Sequence, residues 1–455
     1  MTRRSVLCLA SVSLLALASP SFGAGHPYTE LEIPVPELFG THARALGMGG
    51  AHIAVAEDAS AMTWNPAGLA NVRRIEIAGS FARSDRENET MWHGGPDSWG
   101  GAENQLGGLH YVYPFPTYRG ALVVALGVDR MRDYTLRYRR SGVDPEIGYP
   151  GGDTSFGSAL LTDSHERSGK LSAYSAAVGW EVSPRLAVGA TATYLRGSIY
   201  DEQTFLTEDA FGVSDTYVSY EDFYLLDAKL TGWTGMIGFT YKASPQVRFG
   251  GVLGAPRYVT MERFEQLRTR DLFENGSESI GYEDLPSFPD EEITFPYWLG
   301  FGVSVGVRGV LLAADVRHTD YQEIEDKVGA SEFFLRPYYK DVTSFALGAE
   351  VLAPGIPLRL RGGYRYDPAP FRLTYCPTGD CDMGEGRDPR EIDVAIDRER
   401  SFFTAGAGYL FSGVFTVDLA FETGKYERVI EGSDPELYQE ERKADQYILT
   451  VGYRF

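Results

Sequence analysis

Residue types that do chemistry are sparse in this chain of 455 residues: seven His and three Cys stand against 52 Gly, 28 Tyr and 25 Phe. His26, His42 and His52 fall early, His93 and His165 in expected loops, and His110 and His318 on expected strands. No Ser-His-Asp grouping falls on one face, and His318 and Asp320 share the apolar side of their strand with Leu312 and Val316. No catalytic residue is assigned, and a non-enzyme is expected. Cys376 and Cys381 flank a Pro-Thr-Gly-Asp turn in TYCPTGDCDMGEG, which predicts a disulfide in an oxidising compartment. Zinc would need two more soft ligands nearby, and none is present, so neither metal nor other cofactor is expected. Arg359, Arg361 and Arg365 share one face of PLRLRGGYRY. Paired guanidinium donors suit a ligand carboxylate, which makes these three candidate binding residues; holding neighbouring acids in ion pairs is the plainer reading.

The elements that must position these residues are strands. ITFPYWLGFGVSVGVRG places Phe295, Tyr297, Leu299, Phe301, Val303, Val305 and Val307 on one face, with Thr294, Gly300, Ser304 and Arg308 on the other. Such alternation predicts fourteen strands, at 74–83, 103–115, 119–138, 170–183, 185–205, 222–244, 246–270, 291–309, 310–325, 341–355, 356–371, 400–413, 414–430 and 443–455. Their links alternate short and long. Arg308-Gly309-Val310 and Ser412-Gly413-Val414 are short; 84–102, 139–169, 206–221, 271–290, 326–340, 372–399 and 431–442 are long and polar. Short periplasmic turns and long extracellular loops are the rhythm of a transmembrane antiparallel β-barrel, an all-β class, here spanning 74–455. Parity places Glu181, Asp227, Lys229, Arg308, Asp315, Arg317, Glu350, Arg359, Arg361, Arg365, Asp418 and Glu422 in the lumen. The final YILTVGYRF alternates up to Phe455, as a closing strand would.

The flanks agree. Arg3 and Arg4, an apolar run over 6–18 and Ser21-Phe22-Gly23 predict a signal peptide over 1–23. Its removal takes the net charge from −21 to −23, which argues against nucleic acid. No later stretch has the ~18 consecutive apolar residues of a spanning helix.

Residues 24–73 do not alternate like barrel strands. Gly47-Met48-Gly49-Gly50 lacks the spacing and the preceding strand of a dinucleotide loop. RALGMGGAHIAVAEDASAMTWNPAGLA resembles the N-terminal hatch of the FadL/TodX family, the long-chain fatty-acid and hydrocarbon transporters of Gram-negative outer membranes. The likeness rests on Gly47, Gly49, Ala56, Glu57, Asp58, Ala59, Asn65, Pro66 and Ala67. It departs in Glu57, where an Asp is common, and in a Pro-rich leader over 24–39.

The resemblance implies a fourteen-stranded barrel, matching the independent count, with 24–73 as leader and plug. It implies hatch or gating roles for Gly47, Gly49, Glu57, Asp58, Asn65, Pro66 and Ala67. The implied function is passive uptake of hydrophobic or amphipathic molecules, long-chain fatty acids or hydrocarbons among them, through a multi-pass outer-membrane channel. The alternative is a secretion or assembly scaffold of the type IX kind; a nonspecific porin fits poorly with a plug. Implied partners are the hydrophobic substrate, outer-membrane lipid and lipopolysaccharide, and the barrel-assembly machinery, for a monomer. A kinked wall strand gives the family its lateral path, and an apparent change of parity at Thr231-Gly232 marks a candidate bulge.

Overall fold

The computed structural model describes residues 42–92, 95–148, 155–212, 214, 217–285, 290–328, 331–333, 339–368, 370, 395–397, 400–430 and 438–455. The expected signal peptide, the leader up to residue 41 and the Cys376–Cys381 disulfide lie outside the described residues.

Fourteen antiparallel strands follow one another around a closed barrel. They are β1 (Glu76–Trp92), β2 (Gly95–Phe115), β3 (Leu122–Asp133, resumed as Leu136–Gly148), β4 (Ser155–Ser183), β5 (Leu186–Glu208) and β6 (Tyr217–Lys242). Next come β7 (Val247–Gly254 and Arg257–Phe273), β8 (Glu278–Leu285, Glu291–Phe295 and Trp298–Val307) and β9 (Val310–Thr319 and Glu325–Val328). The last are β10 (Ser331–Phe333 and Val342–Leu352), β11 (Leu358–Asp367), β12 (Ala395–Asp397 and Arg400–Phe411), β13 (Phe415–Ile430) and β14 (Tyr438–Arg454). Closure pairs Glu76 with Arg454 and continues to Trp92 opposite Tyr438. The Phe455 N–H donates to the Ile75 carbonyl at 2.9 Å, so the ladder runs to the final residue and leaves no free edge there.

The strand count agrees with the alternation in the sequence. Lengths do not: β1 and β2 run on to Trp92 and Gly95, and β4 begins at Ser155, so much of the expected long links is ladder. There most residues of both faces are polar, even where one face is buried, as at Asn88, Asp163, His165 and Arg167, so hydrophobicity gives little alternation to read. At the other end, Arg308 and Gly309 both take positive φ, 49° and 86°, between the paired Val307 and Val310. Two central residues at φ > 0 form the hairpin turn whose twist matches the strands.

Outward side chains are aliphatic and aromatic around the barrel: Leu126, Ile237, Leu312, Leu360, Phe403 and Leu419 are all more than half exposed. A face of that kind needs a hydrocarbon solvent. Inside the barrel lie α1 (Ala43–Gly47), α2 (Ala61–Trp64) and a 3₁₀ turn, Pro66–Asn71, almost entirely buried.

The bulge expected at Thr231-Gly232 is absent. Pairing of β6 runs without a shift past Arg196↔Thr231 on one side and Thr231↔Thr260 on the other. Leu226, Ala228 and Leu230 point inward and are buried, whereas Asp227 and Lys229, expected in the lumen, are exposed outside. The parity never changes. What changes is the lumen, which is apolar at this height, so taking the greasy side as the outer one inverts the reading.

Candidate functional site

The N-terminal segment meets the wall through glycines on both sides. Gly49 and Gly50 have φ of 65° and 82°, a backbone that L side chains rarely adopt. A Cβ on Gly49 would lie 2.7 Å from the Tyr364 nitrogen, and one on Gly363 would lie 2.3 Å from the Gly49 nitrogen. Wall glycines repeat this strand after strand. Gly348 faces Met48, Gly406 faces Gly47, Gly250 faces Ile53, Gly238 faces Asn65, and Gly189 faces Pro66. At Gly363, Gly348, Gly250 and Gly189 backbone packs on backbone with no room for a methyl group, the space at Gly238 is filled by the Asn65 side-chain oxygen, and Gly406 is merely tight.

Close approach lets polar groups of the segment bond to the wall. Asn65 is the hub: its amide donates to the Ile53 carbonyl at 2.9 Å and to the Phe239 carbonyl of β6 at 3.0 Å, and its oxygen accepts from Ala67 N–H at 3.2 Å. It thereby caps the turn that Pro66 opens, the position where a proline's missing N–H costs nothing. Asp315 of β9 accepts the N–H groups of His52 and Ile53 at 2.6 and 2.7 Å. Thr191 donates to the Met62 carbonyl at 2.9 Å, and Ala43 N–H donates to Thr450 at 2.8 Å.

An ion-pair network lies alongside. Arg44 reaches Glu350 at 3.1 Å, Asp58 at 3.5 Å and Glu57 at 3.8 Å, and Arg248 reaches Glu57 at 3.2 Å. Burial pushes the Asp58 carboxyl up, but Arg44, then His52 and His42, outweigh it and hold it well below the usual carboxylate range. Arg361 is buried between Glu350 (2.8 Å) and Asp418 (2.6 Å), and Arg365 grips Glu422 with two bonds at 2.7 and 2.9 Å. Arg359 is the open member of the trio, 3.7 Å from Glu350 with its side chain 42% exposed.

One Ser/His/Asp convergence does occur, inside the segment. Ser60 donates its hydroxyl proton to Asp58 and accepts from His52 Nε2 at 2.9 Å. The serine proton thus points to a carboxylate, and both Ser60 and His52 are fully buried, so no nucleophile is presented. Burial holds the His52 imidazole at about 3 and keeps it neutral.

Toward the long-loop end the lumen changes character. Met131 and Tyr134 of β3, Leu171 of β4, Leu195 and Ile199 of β5, and Leu226 and Leu230 of β6 form one buried apolar cluster. Val259 and Met261 of β7, Ile293 and Phe295 of β8, and Val342 of β10 complete it. Sequence reasoning missed this lining.

The cluster's β3 edge coincides with a fault in the wall. The β2–β3 ladder stops at Gly108↔Asp129. Beyond it, among the described residues, β2 ladders with β1 only and β3, bulged between Arg130 and Arg132 and interrupted at Tyr134-Thr135, with β4 only, until Gly95 comes back against the Ser141 carbonyl. Side chains bridge the fault, Gln105 donating to Asp133 and Arg86 donating to the Thr135 carbonyl at 2.7 Å. Its lower edge carries His110, 2.9 Å from Asp129, with the His42 ring tilted against that of His110, centroids 4.6 Å apart. A signal was present in the sequence. Val123, Ala125 and Met131 are buried on odd numbers, and Tyr134 and Leu136 on even ones.

No protein-family model matches the chain, and no curated protein matches it. Solved structures do. A FadL homologue of Pseudomonas aeruginosa is 15% identical, with a TM-score of 0.59, over 91% of this chain and 98% of its own. The toluene transporter TodX of P. putida is 15% identical, with a TM-score of 0.60, over 92% and 99%. The toluene transporter TbuX of Ralstonia pickettii is 14% identical, with a TM-score of 0.54, over 92% and 99%. Over nearly its whole length, then, the chain has the FadL-like fold: a closed antiparallel barrel of fourteen strands, built from a sequence whose early residues resemble that family's hatch.

Proposed function

We propose that the protein is an outer-membrane channel for passive uptake of hydrophobic molecules, with residues 42–72 as its hatch and the β2–β3 fault as a lateral way out. The observation that carries this reading is the apolar lumen cluster, which ends in Met131 and Tyr134 at the unpaired edge of β3. A hydrophilic pore has no use for such a lining. A hydrophobic solute gains from each apolar side chain it meets, and leaving sideways into hydrocarbon spares it the water beyond the hatch. The similar structures include transporters of toluene. Gly47, Gly49, Asn65, Pro66 and Ala67 fix the hatch against the wall, and Glu57 and Asp58 tie it there through Arg248 and Arg44. Arg361 and Arg365 already hold wall carboxylates, so a cargo carboxylate would have to displace Glu350, Asp418 or Glu422 there, and only the half-exposed Arg359, at the loose edge of the same network, is open to one. Uncharged or weakly polar apolar molecules are therefore the favoured cargo.

The test closes the fault. Gln105→Cys with Asp133→Cys, in a Cys376→Ser, Cys381→Ser background, should form a bridge across it on oxidation. Uptake of an apolar tracer into cells should then fall to background and return on reduction, with the barrel assembled throughout. Unchanged uptake in the oxidised variant would rule out this lateral route.

A further inference from the structure

A second apolar concavity lies on the opposite side of the wall, facing the bilayer. It has a volume of about 910 Å³ and crosses β3 to β9. Leu122, Trp180, Ile237, Phe239, Leu299 and Phe301 line it, and His318, at its far end, is the one titratable side chain among its lining residues. Trp180, Ile237, Phe239, Leu299 and Phe301 are exposed, outward-pointing members of the lipid-facing band. The volume falls within the ~300–1,000 Å³ typical of ligand pockets.

The groove has a structural origin. Its strands are those whose inward glycines, Gly189, Gly238, Gly250 and Gly300, lie against Pro66, Asn65 and Ile53. Where the wall leans in on the hatch, its outer surface is hollow. Inner and outer faces of the same few peptide units thus carry the hatch and the groove.

We infer that this groove binds the acyl chains of an anionic phospholipid from the periplasmic leaflet. The chains are specified by an apolar lining continuous with the lipid-facing band. The headgroup and leaflet are specified by charge at the groove's Leu122–Trp180 end. That end opens at the short-turn rim, periplasmic in barrels of this kind. Arg119, in the turn before Leu122, and Arg185, in the turn after Trp180, are exposed there, and among the described residues neither has an ion-pair partner. Arg73 on the same rim is occupied by Glu181 at 2.8 Å. In a chain of net charge −21, two open arginines at the mouth of an apolar groove match a phosphate with its chains already in the bilayer. Each basic residue near an anionic lipid surface contributes about fivefold in affinity.

Lipid retention tests this. Ala190 lines the groove between outward-facing Val178 and Ile237, so Ala190→Trp fills it without touching the hatch. Detergent-purified protein, washed and offered phosphatidylglycerol or phosphatidylcholine, should retain about one phosphatidylglycerol by native mass spectrometry, and Ala190→Trp should retain none. Arg119→Gln with Arg185→Gln should retain the two lipids equally. Equal retention by Ala190→Trp and the parent overturns the groove, and an unaltered preference for phosphatidylglycerol in the arginine variant overturns the headgroup site. A readout independent of variant folding uses the unmutated protein. Phosphatidylglycerol bearing a diazirine on its acyl chain should label peptides containing 188–190, 237–239 and 299–301; labelling spread evenly around the barrel overturns the site.

Discussion

The two halves of the lumen solve opposite problems with the same strands. Toward the short turns, glycines bring the wall onto Gly47, Met48, Ile53 and Asn65, and hydrogen bonds and ion pairs fill the space that remains. Toward the long loops, Leu171, Leu195, Leu226 and Met261 turn inward with no polar partner to satisfy. The first region is specified by fit: a buried donor or acceptor costs about 1–3 kcal/mol when its partner moves away, so the N-terminal segment, the proposed hatch, has one seating. In the second, buried ion pairs such as Arg263–Glu291 and Arg140–Asp163 hold the strands, but the apolar cluster itself rests on solvent preference, and apolar contact is non-directional, so it can yield to a solute of many shapes. The proposed channel, which would exclude ions and water yet pass apolar molecules, needs both properties, held apart.

The comparison breaks most severely at a wall glycine. Gly363→Val places a Cβ against the Gly49 nitrogen and the Met48 carbonyl carbon, backbone atoms that cannot move alone. Overpacking costs about 1–3 kcal/mol, and here it acts on the hatch seating, because the β10–β11 and β11–β12 ladders on either side remain complete. The expected result is an assembled, heat-modifiable barrel that leaks small hydrophilic solutes in proteoliposomes. Gly306→Val on β8, where a Cβ would meet only Leu311 at 3.8 Å, should leak no more than the parent. Equal leakage from both variants would show that the wall glycines do not seat the hatch.

The other half responds to polarity. Leu226 is 3% exposed in the apolar cluster, and Leu226→Asp puts a carboxylate where the proposed cargo would pass. Losing one apolar contact of about 1.5–3 kcal/mol weakens apolar binding by roughly tenfold or more. Uptake of an apolar tracer should fall accordingly, while exclusion of hydrophilic solutes stays at the parent level. Leakage of hydrophilic solutes in this variant would mean the two halves are not separable.

How much of this was legible in the sequence follows from the same division. Strand number and turn positions were readable because, at bilayer height, one face meets lipid and the other does not. Phe301 and Leu312 fall outside and Asp315 inside, as parity requires. The upper strands were not, because hairpin ends such as Asn88↔Trp99 stand beyond that constraint. The wall glycines could be seen as glycines but not as a seat, since Gly49 and Gly363 are more than three hundred residues apart and only the fold brings them together. No bulge interrupts β6 at Thr231-Gly232: Leu226, Ala228 and Leu230 face an apolar lumen, where the greasy side of a strand is not the outer one. The true fault was marked by an apolar parity that shifts between Met131 and Tyr134 on β3. The Arg359, Arg361 and Arg365 face was read correctly as lumenal in Arg361 and Arg365, but the acids that occupy them come from β10 and β13, beyond the reach of local pattern.

The reversible perturbation is acid, and it acts on one contact between the proposed hatch and the wall. His42 is the N-cap of α1, fully enclosed, and neither ring nitrogen has a hydrogen-bond partner. Four titratable groups act on or with it: His110 from β2, Asp129 from β3, and Asp58 and His52 from within the proposed hatch. Burial first, and His110 second, lower its imidazole from 6.5 to about 4, and the two carboxylates only partly oppose this. The seated hatch therefore prefers neutral His42, whereas a released hatch would let it titrate normally. The sign follows: seating is at full strength above pH ~6.5 and weakens by at most ~1.4 kcal/mol per unit as pH falls toward 4. Hydrogen exchange at residues 42–50, corrected for intrinsic rates, should show protection declining across that window, and His42→Phe should flatten the decline while preserving a ring contact with His110. His52, held lower still by burial, would extend the effect only at the acid end. Equal protection at pH 7 and pH 4.5 in the unmutated protein would show that the hatch is not held through His42.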